Sequence, residues 1–591
     1  MRPSLRLAAL SVLLLNSCYP AGDGKAPPLD ELYFPTGLAL DTAALNGNGE
    51  PKYLYVVNSD FDLQYRSASV ISYDLDALLS VVPKNCRTSA DCTNDPAEER
   101  TVCDAPGPDG FPTDGLPEDA WKGLLAKTDP LWNPSYHCVA PQLDANGYPK
   151  VCGDFAEQDP ANGILYPGRC PSVVPTTKET GDGAPPMVRD TVGIGAFATD
   201  VMLKSNPDDA NQSRLFIPVR GDSTLHWIDV QPGGQLECGA DTSEDGNCDD
   251  RHRAGNMPAT TDDHLVQPAE PFAIDGTNDG AYVGVTNQTT GTVSLYRNDW
   301  GGNTDPNELV QLVSIATGLP VAPVGIAAVP ELENQSAGHA FLVTYRSAPQ
   351  IDLLRVHEDK ANDGEMPDPT PAADVYNRYT LRRTGSVLLT ANSLGFDSRG
   401  IAIDSSDRDR EYLKCEADSN CSAAADPAAC RASCIEAAPQ SSVFVASRAP
   451  ASLLVGAMTE DSNYTFNTND LPSFTDSIAL TFGPSRVIVG DVRVPTTATD
   501  RPFDLEKRVF VVCFDSRRIV VYDPKRRRIE ANISTGRGPH ALAVDSKRGL
   551  AYVGHFTDSY LGIISLDQRF PQTYATIVAS IGSPKAPRSS K

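Results

Sequence analysis

Five side chains carry the chemistry of an anion site or an acid–base pair: Arg220, Arg346, Arg448, His540 and His555. Guanidinium groups hold carboxylates and phosphates through paired N–H donors. Imidazole is the side chain that titrates nearest neutrality. Such a set would suit a carboxylate, a phosphate or a sulfated glycan, in a chain whose formal net charge is −27. The competing reading is that these groups solvate strand ends or pair with Asp60, Asp222, Asp515 and Asp558, since charge near a strand end is ordinary. No motif offers stronger chemistry. The chain lacks Gly-x-Ser-x-Gly, His-Glu-x-x-His, a phosphate loop and Cys-x-x-Cys-His, and its eight histidines form no local cluster. The acidic stretches 241–250 and 404–409 lack the spacing of a calcium loop.

Only a repeat would bring residues so far apart in sequence onto one rim. Seven times an aromatic residue meets a bulky aliphatic one inside a short apolar run: Tyr55-Val56, Phe216-Ile217, Tyr282-Val283, Phe341-Leu342, Phe444-Val445, Phe510-Val511 and Tyr552-Val553. Upstream of most lies a run with Ala-x-Asp, as in Ala39-Leu40-Asp41 and Ala543-Val544-Asp545. Downstream come further runs, such as Ile519-Val520-Val521-Tyr522 and Ile577-Val578-Ala579. Short β-branched or aromatic runs bounded by Gly, Pro, Asn or Asp read as strands. A strand group repeated at this period predicts an all-β fold, a seven-bladed β-propeller with disulfide-rich loop insertions. Counting four positions past each aromatic places Ser59, Arg220, Thr286, Tyr345, Arg448, Phe514 and Phe556 at one end of the channel, with Arg346 one step beyond Tyr345. A turn at 546–549 sets His540 beside Gly554 and His555. The arginines and histidines are thereby expected to share a rim.

The segments Tyr282-Val283-Gly284-Val285-Thr286-Asn287 and Leu54-Tyr55-Val56-Val57-Asn58, with the Pro-His-Ala-Leu-Ala-Val-Asp run at 539–545, resemble the YVTN family of propeller repeats. The resemblance covers most of residues 30–585. It implies the fold rather than an activity, because that family mixes surface proteins, binding scaffolds and a few enzymes.

The amino terminus reads as an address. A basic segment, an apolar stretch from Leu7 to Leu15 and then Leu15-Asn16-Ser17-Cys18 resemble a bacterial lipoprotein signal over 1–18, with Cys18 the lipidated residue. The stretch is too short to span a bilayer. Tyr19 after the cysteine favours the outer membrane, on its periplasmic side or at the cell surface. Residues 19–29 form a tether and 586–591 a tail.

The remaining cysteines follow location. Cys86, Cys92, Cys103, Cys138, Cys152 and Cys170 fall in an insertion at about 80–186 in blade one; Cys238 and Cys248 in a loop at about 236–250; Cys415, Cys421, Cys430 and Cys434 in an insertion at about 405–440 in blade five. Even numbers confined to each loop predict disulfides in an oxidising compartment, and their spacing matches no zinc site. A helix start at Asp426-Pro427 puts Cys430 and Cys434 on one face, which suggests nested pairing of Cys415 with Cys434 and Cys421 with Cys430. Cys513 lies within a strand.

The expected protein is a lipid-anchored envelope propeller, a non-catalytic scaffold for an envelope protein or polysaccharide. No metal or cofactor is implied, and the charge argues against nucleic acid. Two alternatives are a lactonase-like propeller hydrolase or lyase using His540, His555 and rim carboxylates, and a structural spacer in an envelope complex.

Overall fold

The computed structural model describes residues 25–28, 31–80, 157–158, 165–166, 172–178, 186–239, 246–255, 265–301, 306–331, 338–359, 378–389, 395–458, 471–498, 503–569 and 574–582. Cys18, the signal and tail segments, and the six cysteines of the blade-one insertion lie outside them.

Seven antiparallel sheets follow one another along the chain, each built on four strands in sequence order. Blade one comprises Pro35–Leu40, Tyr53–Asn58, Ala68–Asp74 and Val188–Ile194; blade seven comprises Pro539–Asp545, Leu550–His555, Tyr560–Ser565 and Thr576–Ile581. The first strand of every blade touches the first strand of the next, and Pro539–Asp545 returns to touch Pro35–Leu40. That circuit is a closed seven-bladed β-propeller with the first strands around the channel.

Both faces of each blade are covered by a neighbouring blade, so the middle strands are apolar on both sides. Successive side chains enter opposite gaps. Tyr55 packs toward blade two and Val56 toward blade seven. Phe216, Tyr282, Phe444, Phe510 and Tyr552 likewise face the next blade. Blade four differs: Phe341 points back into the gap with blade three, and Leu342 faces blade five. A one-residue slip has exchanged the faces, as a period of two requires. Seven apolar clusters fill the seven gaps.

At the channel the first strands crowd one another. A Cβ on Gly325 would stand 2.0 Å from the carbonyl oxygen of Arg399, and one on Gly400 would stand 2.6 Å from the Cα of Arg486. Glycine at those positions is a packing requirement.

The ring closes without a shared blade. Its seam joins sheets from the two ends of the chain through the Phe34 N–H to the Ser559 hydroxyl (3.1 Å), His540 to the Thr36 carbonyl, and Arg548 to Asp76 (2.5 Å). A strap from the blade-one insertion, Ser172–Val173, adds a parallel strand to Thr576–Ile581, and Val173 is buried in the cluster at the seam.

Two insertions are stapled within the described residues. Cys238–Cys248 closes a loop in blade two. Helices Ser406–Ala417, Ser419–Ser422 and Pro427–Glu436 lie between the first two strands of blade five, with Cys415–Cys434 and Cys421–Cys430 paired in the nested order. Cys513 is a buried free thiol.

Candidate functional site

Each blade opens on one device. The residue before the innermost strand, or in blade two before the Ala198–Val219 bridge that leads into it, takes a left-handed backbone: Phe34, Phe197, Glu270, Ala322, Gly483 and Gly538, with φ between 49° and 81°. Its carbonyl accepts the N–H of the residue just past the second strand. The pairs are Ser59 to Phe34, Arg220 to Phe197, Gln288 to Glu270, Arg346 to Ala322, Phe514 to Gly483 and Phe556 to Gly538. In blade five the same place falls to Arg448, next to Ser447, whose hydroxyl bonds the Phe396 carbonyl at 3.0 Å.

The ring at the channel mouth therefore reads Ser59, Arg220, Gln288, Arg346, Arg448, Phe514 and Phe556. Thr286 and Tyr345, placed there by counting from the aromatic pairs, are strand residues buried in the sheet. The aromatic pair is displaced by two residues in blade three and by one in blade four, so Gln288 and Arg346 take the rim.

The arginines clasp neighbouring blades. Arg220 reaches Glu270 of blade three (2.5 Å), Arg346 approaches Asp397 of blade five (3.9 Å), and Arg448 binds Asp515 of blade six (2.8 Å). Of the four carboxylates weighed as partners, Asp515 alone holds one of these three arginines. Asp222 binds His226, Asp558 binds Arg537, and Asp60 is buried with its carboxyl pushed up to about 7 by desolvation. Burial and the nearby Arg399 and Arg346 push Arg448 below its ordinary pKa despite Asp515 and Asp397. Arg346, Arg399 and Arg448 thus share two carboxylates, Asp397 and Asp515.

The other half of the mouth is aromatic. Phe34 packs on Phe556 (5.2 Å between ring centres) and Phe61 packs on Phe556 (5.2 Å) and Phe197 (5.9 Å). Phe61 is 52% exposed and Leu63 60% exposed. Phe514 stands edge-on to His540 at 6.4 Å.

His540 and His555 part company. His540 lines the channel, with Nδ1 3.0 Å from the Thr36 carbonyl, and burial plus the Arg486 charge push it down to about 4. His555 does not reach the rim. It is fully buried within blade seven, stacked on Tyr560 with ring centres 4.0 Å apart, and its Nε2 accepts the Gly536 N–H at 3.1 Å. The expected rim pair fails because successive residues of a strand point to opposite sides, and His555 pairs with Pro539, the residue next to His540. His540 sits on the innermost strand, whereas the register aligns His555 with Pro539 and turns its ring into the sheet.

Below the rim lies a cavity of about 390 Å³, lined among others by Thr199, Asp200, Phe272, Asp275, Arg399, Arg448, Ser485, Arg486, Phe514 and His540. Arg399 is forked onto Asp397 (2.5 and 3.1 Å). Burial pushes Asp275 above the usual carboxylate range, although it accepts N–H groups of Ala328 and Gly276. Arg486 meets Asp200 at 2.6 Å across the channel, from blade six to blade two.

The strand registers make those two residues equivalent. In the other five blades the same position holds Gly37, Ala273, Gly325, Gly400 or Ala541. Blades two and six put Asp200 and Arg486 there. Asp200 closes an Ala-x-Asp run in sequence, Ala198-Thr199-Asp200, but the register aligns it with Gly37 rather than Asp41, and Arg486 belongs to no motif. The available signal was an acid and a base in two repeats where the others carry a small residue, legible only once the bulged first strands are aligned.

Among the described residues no group of three His, Cys, Asp or Glu side chains could hold a metal ion. No family model and no curated protein matches the chain. Solved structures resemble it distantly. A Bacteroides fragilis protein provisionally named a 6-phosphogluconolactonase has 10% identity over 86% of each chain and a TM-score of 0.35. A Lactobacillus plantarum protein has 11% identity over 86% of each chain and a TM-score of 0.37. A functionally unknown protein from Desulfotomaculum acetoxidans has 12% identity over 68% of this chain and 93% of its own, at 0.36. Likeness at that level says nothing about activity.

Proposed function

We propose that this is an exported, lipid-anchored propeller that binds an envelope protein or polysaccharide through its channel-mouth face, without catalysis. The observation that carries the reading is where exposed apolar side chains collect. Phe61, Leu63, Val321 and Phe482 on loops and Leu388 and Phe396 at strand ends, all exposed, sit at the mouth end, around the arginine clasps. Exposed apolar groups gathered on one face and rimmed by charge mark an interaction surface. A hydrolase reading is less favoured because His540 bonds a backbone carbonyl and no carboxylate. The buried His226–Asp222 pair (2.8 Å) lies at the second turn of blade two, and neither residue lines the channel cavity.

A photo-crosslinking side chain at position 61 or 482, introduced in living cells, is expected to capture one common species. The same group at Leu45 or Leu413, on the opposite end, is expected to capture none. Equal capture from both ends would remove the mouth as the binding face.

The anchor rests on Leu15-Asn16-Ser17-Cys18. Disulfides in the described loops agree with export to an oxidising compartment. Cys18→Ser should abolish incorporation of labelled palmitate and release the protein from the membrane fraction. Unchanged membrane partition of that variant would exclude the anchor.

A further inference from the structure

The position occupied by Gly or Ala in five blades is, in the other two, an acid and a base that meet across the channel. Small residues are required where first strands nearly touch, as the 2.0 Å and 2.6 Å clearances at Gly325 and Gly400 show. Asp200 and Arg486 therefore replace a packing residue with a charged one, twice, on blades that are not neighbours. They hold no adjacent sheets together. Their contact forms a bar across the cavity, leaving Arg399 and Arg448 on the rim side and an apolar wall of Met202, Ile274, Ile326 and Ile488 around it.

We propose that the cavity is a binding site for a hydroxylated carboxylate of the uronic-acid type, and that Asp200 is the internal stand-in which the ligand's carboxylate displaces from Arg486. The proposal rests on the reading of the protein as an envelope binder and narrows the ligand to an acidic sugar.

Five features support it. A planar guanidinium fork matches a carboxylate, and Arg486 shows one bond to Asp200, which leaves further donors for a second oxyanion. Arg399 and Arg448 add positive charge on the same wall, with Asp397 and Asp515 shared among three arginines. Asp200, once released, becomes an acceptor for sugar hydroxyls beside the Thr199 and Ser485 hydroxyls. Phe272, Phe514 and the His540 ring offer flat apolar surfaces for the C–H face of a pyranose. A cavity of about 390 Å³ lies within the size range of small-molecule sites.

An internal competitor has an unusual signature: removing it improves binding. Asp200→Asn keeps the shape and deletes the competing charge. Its affinity for glucuronate should rise by roughly threefold to tenfold, whereas Arg486→Gln should lower it by roughly tenfold or more, as charge-assisted bonds of this kind are worth.

The test is titration of the full folded protein with glucuronate, glucose, acetate and trigalacturonate, followed by ligand-observed NMR, with a thermal melt for each variant. Expected are binding of glucuronate that weakens with salt, no measurable binding of glucose, weaker binding of acetate, and opposite shifts for the two variants. Tighter binding of trigalacturonate than of glucuronate would place the source in a polymer, and equal binding would place it in a free acid. Both are compatible with the site. Wild type that ignores glucuronate, or binds glucose equally well, overturns the proposal without any variant. Asp200→Asn weakening glucuronate as much as Arg486→Gln would reduce the pair to a structural bridge. Loss of glucuronate over time would reveal turnover and so sink the non-catalytic reading instead, while failed capture at positions 61 and 482 leaves this titration unaffected.

Discussion

Arg508→Ala is expected to destabilise the propeller by roughly 3–5 kcal/mol, the usual cost of removing one partner from a buried ionic cluster. Arg508 is only 1% exposed, and its guanidinium serves Glu530 (2.8 Å), Glu506 (3.1 Å) and Asp523 (3.7 Å), the last fully buried. Without it Asp523 keeps Arg526 (2.7 Å) as a partner, but Glu530 faces the Tyr574 hydroxyl and Gln568 as an unneutralised charge. Glu530, in blade six, holds two groups that belong to blade seven, so the loss should spread across the gap.

Burial alone would raise the Glu506 and Asp523 pKa values, yet the arginines hold both below the ordinary carboxylate range. A depressed carboxylate stabilises above its unfolded pKa, and that contribution fades as pH falls through the folded value. The Arg508→Ala penalty should therefore be full at pH 7 and shrink below about pH 4. Urea unfolding at both pH values measures it. A penalty under about 1 kcal/mol at pH 7 would contradict the cluster's role. Arg526→Ala is the comparison: its side chain is 47% exposed, and with Arg508 still on Asp523 its loss should cost less than that of Arg508.

Acid should unfold the protein partly through one histidine. Burial pushes His555 down to about 3. Its Nε2 accepts the Gly536 N–H, so a proton there would set two donors against each other. The unfolded chain binds a proton near pH 6.5 and the folded chain near pH 3, so stability falls as pH drops through that window. The integrated effect is roughly 3–5 kcal/mol. Asp60, pushed up to about 7, acts with the opposite sign and gains stability as pH falls from 7 toward 4. For that reason the informative quantity is the difference between wild type and His555→Gln, measured by urea unfolding from pH 7 to pH 4. The variant should be less stable at pH 7 and should lose less on acidification. Parallel curves would show that His555 does not titrate during unfolding.

The blades could be read from the chain because a strand covered on both faces must be apolar at nearly every position, and Tyr55-Val56 or Phe510-Val511 announce that directly. The disulfide pairs were legible too, since Cys415 and Cys434 share a loop too polar to hold itself together. Register was less accessible. Phe341-Leu342 has the same composition as its counterparts, yet one residue of slip turns Phe341 backward and moves Arg346 onto the rim. Composition does not encode which of two apolar neighbours faces which gap.

The clasps were hidden for another reason. Arg220 meets Glu270 and Arg448 meets Asp515 across separations of 50 and 67 residues, distances that close only when successive blades pack. The Asp200–Arg486 bar is more remote still. It exists because two non-adjacent blades face each other over a hole, a relation with no local trace.

The seam gives the molecule a direction of weakness. The first and last strands of the ring, Pro35–Leu40 and Thr576–Ile581, belong to adjoining sheets, so a pull on Pro35–Leu40 loads the seam first. The ladder of that strand runs to Tyr53–Asn58 and it only packs on Pro539–Asp545, so the seam would part before the blade does. The Ser172–Val173 strap lies parallel to Thr576–Ile581 on the outer edge. Loaded along its length, it must break its bonds together rather than in turn. A ring without a shared blade can in this way resist tension through a buckle fastened on its far side.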